Sequence, residues 1–300
     1  MTSDQFQLKF AFPKWLYEHF LKLIIYPSIW VAAAIASLGL YTQEILNLEP
    51  NWQPIVLIFV TALIPYNLDR IFDSYVQKIP DDKAQLFFRQ PYVWVLLIAA
   101  IAATIALLYN APIRVRYVSL VGIIPLLYGT PLFPVKNKSK WQWYRLKDIP
   151  GSKAWIVGSV LTYAVIALPI AYEGAEFDLA AILTTLFMFV FIVTNSHTFD
   201  IRDLDSDREK GVVTLPVIAG LKGTKAILTI MNLSVLIIMV WAWMGSIMMF
   251  RSEMILALLV NITYVLAVDF NTPRWVYSIL IEGCLFLPII GYTALKFFQI

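Results

Sequence analysis

The sequence predicts an all-α membrane protein, with about nine transmembrane helices packed in one bundle. Residues AVILMFWYC make up 60% of the 300 residues, whereas DEKR make up only 14%. Soluble domains have about 45–50% apolar and about 25% charged residues. Apolar stretches of about 20 residues, close to the length needed to cross a bilayer, recur along the whole chain. We therefore expect a single integral-membrane domain over residues 1–300.

The predicted crossings follow one another with short connections. The third, VWVLLIAAIAATIALLY, is the clearest. Several crossings contain proline, which is tolerated where neighbouring helices satisfy the carbonyl group that it frees. The expected ranges are 20–40, 53–72, 92–109, 116–133, 154–172, 179–200, 224–248, 253–270 and 275–297.

Basic residues predict the orientation of the chain. If the N-terminus lies inside, most of the 23 lysine and arginine residues fall in inside segments. Outside loops then carry acids such as Glu44 and Glu173. Positive residues accumulate on the cytoplasmic side of membrane proteins. We therefore expect a multi-pass protein with a cytoplasmic N-terminus, and membrane lipid as a partner.

Charge and motif content argue against several other classes of function. A net charge of +3 is too small to favour nucleic-acid binding. The sequence contains no phosphate-binding glycine loop and no zinc-ligand spacing. Cys284 is the only cysteine, so it forms no internal disulfide.

Two aspartate clusters lie at the inside ends of predicted crossings. In the second crossing, Asp69 and Asp73 are four residues apart and share a helix face. At the end of the sixth, Asp200, Asp203 and Asp207 have the spacing i, i+3, i+7. Like charges at such spacing repel each other on a bare helix, so a positive partner is expected.

Two facing carboxylate pairs would suit Mg²⁺ ions that bridge a diphosphate. Mg²⁺ is usually held by one or two carboxylates together with substrate phosphates. Basic side chains nearby could bind the remaining phosphate oxygens: Arg70, Lys147, Lys153, Arg202 and Arg208. The alternative is that the aspartates are ordinary solvated loop acids. It is less favoured because both clusters have helical spacing and lie on one side of the membrane.

The two clusters resemble the motifs of the UbiA superfamily of intramembrane prenyltransferases. DRIFD at 69–73 is similar to the D-R-x-x-D end of the family's first motif. DLDSDREKGVVTL at 203–215 is similar to the second, D-x-x-x-D-R-x-x-G-x-x-T-L. The family's leading Asn-Asp pair falls on Pro65 and Tyr66, with Asn67 out of register.

This resemblance implies a bundle around a central cavity open to lipid, and a reaction on its cytoplasmic side. A prenyl diphosphate would bind through Mg²⁺ and ionise to an allylic carbocation. The cation would alkylate a lipophilic acceptor, usually an aromatic or quinone-precursor ring. The expected metal ligands, also the expected catalytic residues, are Asp69, Asp73, Asp203 and Asp207. The expected substrate-binding residues are Asn67, Arg70, Lys153, Asp200, Arg202 and Arg208.

Other functions remain open at this point. A terpene cyclase could use the same metal site without an acceptor. A catalytically silent relative could bind isoprenoids. A transporter is less favoured, because transporters usually place their acids near the midplane of the bilayer.

Two more polar residues lie in or near the crossings. Glu282 lies inside the ninth, and an intramembrane acid is a functional candidate. It could steer or deprotonate an acceptor, or pair with a neighbour such as Asn261. We expect His197, six residues before the second motif, to make a structural hydrogen bond.

Overall fold

The residues that the structure describes form a helical bundle and a β-hairpin. The computed structural model describes residues 14–76, 82–123, 131–137, 140–145, 149, 151–209 and 211–298. Of residues 14, 72, 73, 75 and 76, and of both hairpin strands, it describes the backbone alone. Lys147 lies outside the described residues, as does the side chain of Asp73.

The described residues before the hairpin form six α-helices. These are α1 (Lys14–Phe20), α2 (Ile29–Ile45), α3 (Trp52–Val76), α4 (Asp82–Phe88), α5 (Pro91–Asn110) and α6 (Ile113–Ser119). A π-helical turn, Leu21–Ile25, joins α1 to a bend of 59° before α2. The bend coincides with Pro27 and with Ser28, whose φ of 61° lies in the left-handed region and interrupts the helix.

The second part begins after an antiparallel hairpin of β1 (Pro131–Asn137) and β2 (Lys140–Arg145). Its helices are α7 (Lys153–Glu173), α8 (Leu179–Arg202), α9 (Leu204–Glu209), α10 (Leu215–Met244), α11 (Ser252–Ala267) and α12 (Leu287–Phe297). A π-helical turn, Val276–Ile281, and a 3₁₀ turn, Cys284–Phe286, lead into α12. Gly220, with φ 68° and ψ 171°, kinks α10 near its start.

The predicted count of nine crossings is not confirmed. Within the described residues, six helical segments are long and apolar enough to cross a membrane. The bent pair Trp15–Ile25 and Ile29–Ile45 gives a seventh if it counts as one span. The helix Ser252–Ala267, predicted as the eighth crossing, is apolar but shorter than these.

The predicted fourth crossing, 116–133, is wrong as a single helix. The helix α6 ends at Ser119, a 3₁₀ turn covers Leu120–Gly122, and a strand begins at Pro131. Hydrophobic periodicity does not separate a short apolar strand from a buried helix segment. Proline is tolerated as the first residue of a strand, where its missing N–H is not needed. The all-α prediction therefore holds for the bundle but missed the hairpin.

The described helices pack in sequence, and the last of them returns to α2. The helix α3 packs between α2 and α5, and α7 packs against both α2 and α8. From α8 the contacts continue through α10 and α11 to α12, which returns to α2. On α5, Val95, Ile98 and Ile105 are each more than 60% exposed, as expected for a surface that faces lipid.

A buried polar network joins three helices of the second part. Asn232 on α10 donates a 2.8 Å hydrogen bond from Nδ2 to Thr194 Oγ1 on α8. Asn261 on α11 donates from Nδ2 to Asn232 Oδ1 at 3.3 Å and to the Phe191 carbonyl at 3.2 Å. Asn261, the neighbour named as an alternative partner for Glu282, thus bonds to Asn232 and to the Phe191 carbonyl. Hydrogen bonds between apolar helices fix their relative position in a membrane.

Candidate functional site

The second aspartate cluster lies where α8 ends. Asp203 leaves the helix, with φ −94° and ψ 7°, and α9 begins at the next residue. Two backbone bonds keep nearly helical spacing across this break: Asp203 N–H donates to Phe199 O at 3.1 Å, and Asp207 N–H to Asp203 O at 2.8 Å. Asp200 and Asp207 are buried, with 2% and 6% of their surface exposed. Asp205, between them, is exposed.

The backbone conformation at residue 211 explains why the second motif has a glycine there. Gly211 has a φ of 68°, a region that residues with a Cβ rarely adopt. The N–H of Gly211 donates to Arg208 O at 3.2 Å, and the N–H of Val212 donates to Asp207 O at 2.8 Å. This pair of bonds is the usual closure of a helix C-terminus. It fixes the direction in which the chain leaves Asp207.

Lys153 is brought to the aspartates by the loop before α7. Gly151 N–H donates a 2.6 Å hydrogen bond to the carbonyl of Val213, two residues after Gly211. Two residues further on, Lys153 begins α7, and its Nζ lies 3.6 Å from Asp200 Oδ1. The charges of Asp200, Asp207 and Asp203 all act on its ammonium group. Lys153 thus contacts Asp200 directly, and its charge is stabilised by all three aspartates.

Arg202 and Asp203 form the shortest ion pair of the site. Arg202 Nε donates to Asp203 Oδ1 at 2.9 Å and Nη2 to Oδ2 at 2.7 Å. The guanidinium also stacks over Phe199, with 4.8 Å from Cζ to the ring centroid. Burial raises the pKa of Asp203, but the hydrogen bonds and charge of Arg202, helped by Lys153 and Arg274, outweigh it. The pKa of Asp203 therefore lies below its ordinary value, and this carboxylate is ionised at neutral pH.

The first motif lies on the last turns of α3. Asp69 is exposed, and Arg70 Cζ lies 5.9 Å from the ring centroid of Phe88. Asn67 is fully buried, and its Nδ2 donates to Pro27 O at 2.9 Å and to Leu63 O at 2.8 Å. Its amide nitrogen therefore holds the bend before α2. Arg208, on α9, is exposed.

Glu282 links the two motif helices electrostatically. It is buried, 7% exposed, and follows the π-helical turn Val276–Ile281. The charges of both Arg70 on α3 and Arg202 on α8 act on its carboxylate. Each of these arginines is the chain neighbour of a motif aspartate. The last membrane segment also touches the second motif, since Arg202 Cζ lies 5.8 Å from the ring centroid of Tyr277, in the turn before Glu282.

The expectation for His197 is wrong. This buried ring has no hydrogen-bond partner for either nitrogen among the described residues. Its Nδ1 lies 3.3 Å from Asp200 Oδ2, without hydrogen-bond geometry, and its ring packs edge-on at 4.9 Å from Trp155. The contact with Trp155, which lies on α7, joins distant segments and is not visible in the sequence.

The donors at this site suit a hard cation. Carboxylate oxygens are the ligands that Mg²⁺ prefers. Within the part of the chain that the structure describes, no group of three or more His, Cys, Asp or Glu side chains is close enough to hold a metal by itself. Mg²⁺ sites commonly combine few carboxylates with phosphate oxygens and water, so the residues present fit such a shared site.

Comparison with known proteins assigns the chain to a family. The model of the UbiA prenyltransferase family matches residues 88–276. The chain belongs to this family. The resemblance inferred from the two motifs is thereby confirmed, and the protein is a multi-pass integral membrane protein.

Solved structures of UbiA homologs share the fold. The homolog from Archaeoglobus fulgidus bound to GPP and Mg²⁺ is 14% identical, with a TM-score of 0.60, and the match covers 92% of this chain and 99% of that one. The same homolog bound to DMAPP and Mg²⁺ is 15% identical, with a TM-score of 0.56 and coverage of 90% and 99%. The apo homolog from Aeropyrum pernix K1 is 17% identical, with a TM-score of 0.60 and coverage of 92% and 99%. No curated protein sequence matches the chain.

The matched range of the UbiA family contains only part of the candidate site. Lys153 and the second motif lie inside residues 88–276, whereas Asp69, Arg70 and Glu282 lie outside them. The structural matches extend over nine-tenths of the chain.

Proposed function

We propose that this protein is a Mg²⁺-dependent prenyltransferase that moves an isoprenyl group from a prenyl diphosphate to a lipophilic acceptor, an aromatic or quinone-precursor ring. The observation that carries the proposal is the ion pair of Lys153 with Asp200, 3.6 Å from Nζ to Oδ1, on the helix that leads into Asp203 and Asp207. A lysine among carboxylates at a membrane helix end suits a metal-bound diphosphate, because cations of both kinds neutralise the phosphate charge. The UbiA homolog of known structure that binds GPP or DMAPP with Mg²⁺ adds support.

The proposed metal ligands are Asp69, Asp73, Asp203 and Asp207. When bound, Mg²⁺ supplies positive charge that stabilises the diphosphate as a leaving group. The residues proposed to form the diphosphate-binding site, by direct contact or by positioning a residue in contact, are Asn67, Arg70, Lys153, Asp200, Arg202 and Arg208. Asp200 acts on Lys153, whose Nζ lies 3.6 Å away.

The proposed chemistry begins with cleavage of the bond between the prenyl C1 and the diphosphate oxygen, whose electron pair leaves with the diphosphate. Lys153 and the arginines stabilise the negative charge that gathers there. Exclusion of water by the apolar bundle keeps the allylic cation from being hydrolysed. Aromatic faces such as Phe199 stabilise a cation by their negative face. The acceptor then forms a bond to C1.

We place the whole domain, residues 1–300, in the membrane with its N-terminus and this site on the cytoplasmic side. The concentration of lysine and arginine in alternate connections supports this orientation. A reporter fused to the N-terminus should read cytoplasmic, and an external reading would reverse the proposal.

The test of the function is diphosphate release by the purified protein in lipid. Prenyl diphosphates of several chain lengths are supplied with Mg²⁺ or with a chelator, and with or without pooled aromatic and quinone-precursor acceptors. Release that needs both Mg²⁺ and an acceptor supports the transferase. Release without any acceptor, with a cyclic product, identifies a terpene cyclase at the same site.

A matched pair of variants ties the activity to the site. We expect Asp203→Ala to lower diphosphate release at least about 100-fold, the usual scale for loss of a charged catalytic group. Asp205→Ala, two residues away on an exposed side chain, should leave it unchanged. No release by folded wild-type protein, while prenyl diphosphate still binds, would indicate a catalytically silent isoprenoid-binding relative.

A further inference from the structure

Glu282 is a buried acid that the proposed diphosphate site does not explain. It lies about two turns inside the last membrane segment, Val276–Phe297, and is only 7% exposed. Among the described residues it has no ion pair closer than 4.0 Å. Burying a carboxylate without a close counter-ion is costly, and ionisable residues inside membranes are usually functional.

The backbone beside Glu282 is held in an irregular form from two sides. The π-helical turn Val276–Ile281 frees carbonyl groups from the regular helix pattern. Trp30 Nε1 donates to the carbonyl of Ile279 at 3.1 Å, and Asn195 Nδ2 donates to that of Ile281 at 2.8 Å. These donors come from α2 and α8, so two separate helices fix the position of the glutamate. Irregular turns of this type are frequent at functional sites.

The turn before Glu282 packs against the second motif: the ring of Tyr277 lies 5.8 Å from Arg202 Cζ and 5.8 Å from the ring of Phe199. The charges of Arg70 and Arg202 act on Glu282, and the charge of Glu282 acts on Tyr66, one turn before Arg70 on α3. Tyr66, Asp69 and Arg70 have helical spacing and lie near one face of α3. Glu282 therefore follows a turn that packs against the second motif, and its charge interacts with arginines on both motif helices.

The negative charge of an ionised Glu282 limits which species of the reaction it can stabilise. A carboxylate repels a diphosphate, so its presence weakens rather than strengthens the binding of that anion. The species that it favours is positive: the allylic cation, or a proton that leaves the acceptor. Of these roles, only proton transfer requires a basic oxygen atom at this position.

We propose that Glu282 accepts the proton released when the carbocation is quenched, a role that rests on the prenyl transfer proposed above. The nucleophilic atom of the acceptor gives an electron pair to prenyl C1 and forms the new bond. The bond from that atom to its hydrogen then breaks, its electron pair returns to the acceptor, and the proton goes to a Glu282 carboxylate oxygen. Diphosphate leaves with the pair of the C–O bond, so charge and atoms balance.

The test compares Glu282→Gln and Glu282→Asp with Glu253→Gln. Glutamine keeps the size of the side chain but is not a base. Glu253 is the control, because it is equally buried, 3% exposed, yet hydrogen-bonded by Tyr41 at 3.2 Å in a different part of the bundle. For each variant, binding of a non-ionisable thio analogue of the prenyl diphosphate is measured with Mg²⁺, together with kcat for product formation.

We expect Glu282→Gln to bind the analogue as tightly as wild type or up to about tenfold more tightly, because a repelling charge is removed. Its kcat should fall by about 100-fold or more, within the range for loss of a general base, and Glu282→Asp should recover part of it. Glu253→Gln should keep kcat within about threefold of wild type.

Two results would overturn the inference while leaving prenyl transfer intact. One is unchanged kcat in Glu282→Gln. The other is weaker analogue binding that accounts for the whole loss of activity, which would make Glu282 a positioning residue for Arg70 and Arg202. Wild-type protein that forms no prenylated or cyclised product would instead reject the proposed function itself, and this inference with it.

Discussion

Arg202 donates hydrogen bonds from Nε and Nη2 to the two carboxylate oxygens of Asp203, the next residue in the chain, at 2.9 Å and 2.7 Å. Consecutive residues do not face each other on a helix. The pair forms because α8 ends at Arg202 and Asp203 turns out of the helix. The second motif thus begins where a membrane helix stops, and the first of its aspartates is already matched to a cation.

The Arg202–Asp203 pair predicts a dependence of stability on pH. The folded pKa of Asp203 is depressed, since burial raises it but Arg202, Lys153 and Arg274 lower it further. The stabilisation of the folded state by ionised Asp203 is therefore complete above the pKa of an unfolded aspartate, about 3.9. It is lost as the pH falls through the lower pKa that Asp203 has in the folded protein. We expect Asp203→Asn to cost about 1–2 kcal/mol at neutral pH and nothing at the acid end.

The measurement is thermal unfolding in detergent with a chelator present, from neutral pH to below pH 4. Asp205→Asn, at an exposed position, provides the control and should match wild type throughout. A constant difference between Asp203→Asn and wild type across the whole series would contradict the assigned pKa direction.

Lys153 is expected to contribute mainly to substrate binding. Its Nζ lies 3.6 Å from Asp200 Oδ1, and its side chain is 39% exposed and so accessible to a ligand. Lys153→Met should weaken binding of a prenyl diphosphate analogue by about 10- to 100-fold, as expected for loss of a charge-assisted bond. The affinity is measured by titration calorimetry. Lys222→Met, at an exposed position on α10, is the control. Equal affinities for the two variants would exclude Lys153 from the diphosphate site.

Gly158 allows α7 to lie close against α8. A Cβ at this position would lie 3.2 Å from the Cα of Val193 and would overlap its side chain. Gly158→Ala should therefore lower the free energy of unfolding by about 1–3 kcal/mol and shift Lys153 away from Asp200. Gly122→Ala, where a Cβ would meet no atom within 4 Å, should be neutral. Both effects are measured on the same variant, as the free energy of unfolding and the affinity for a prenyl diphosphate analogue. If Gly158→Ala changes neither, the packing of α7 on α8 tolerates a methyl group at this position.

The buried amide network predicts a smaller effect on stability. Thr194→Val removes the acceptor of the 2.8 Å bond from Asn232 and should cost about 1 kcal/mol. Thr263→Val is the matched control, because Thr263 is exposed and its hydroxyl donates only within its own helix, to Leu259 O. Unfolding in detergent should separate the two variants. Identical melting curves would mean that the network does not hold α8 and α10 together.

The sequence by itself determined the kind of protein and the positions of most of the helices. Apolar length is a local property, so the span Pro91–Asn110 agrees with the predicted 92–109, and Leu179–Arg202 with 179–200. The second motif was also readable from the sequence, because spacing along a helix places Asp203 and Asp207 near one face. The family match confirmed the assignment that this spacing supported.

The tertiary structure decided which side chains meet. Lys153 and Asp200 are 47 positions apart, and only the bond from Gly151 to Val213 and the close packing of α7 on α8 bring them together. The break at Asp203 and the hairpin that begins at Pro131 depend on neighbours that hydrophobic periodicity does not describe. The position of Glu282 depends on donors from two other helices, Trp30 and Asn195. Such contacts between distant segments arise from packing in three dimensions, and a one-dimensional pattern of apolar and charged residues does not encode them individually.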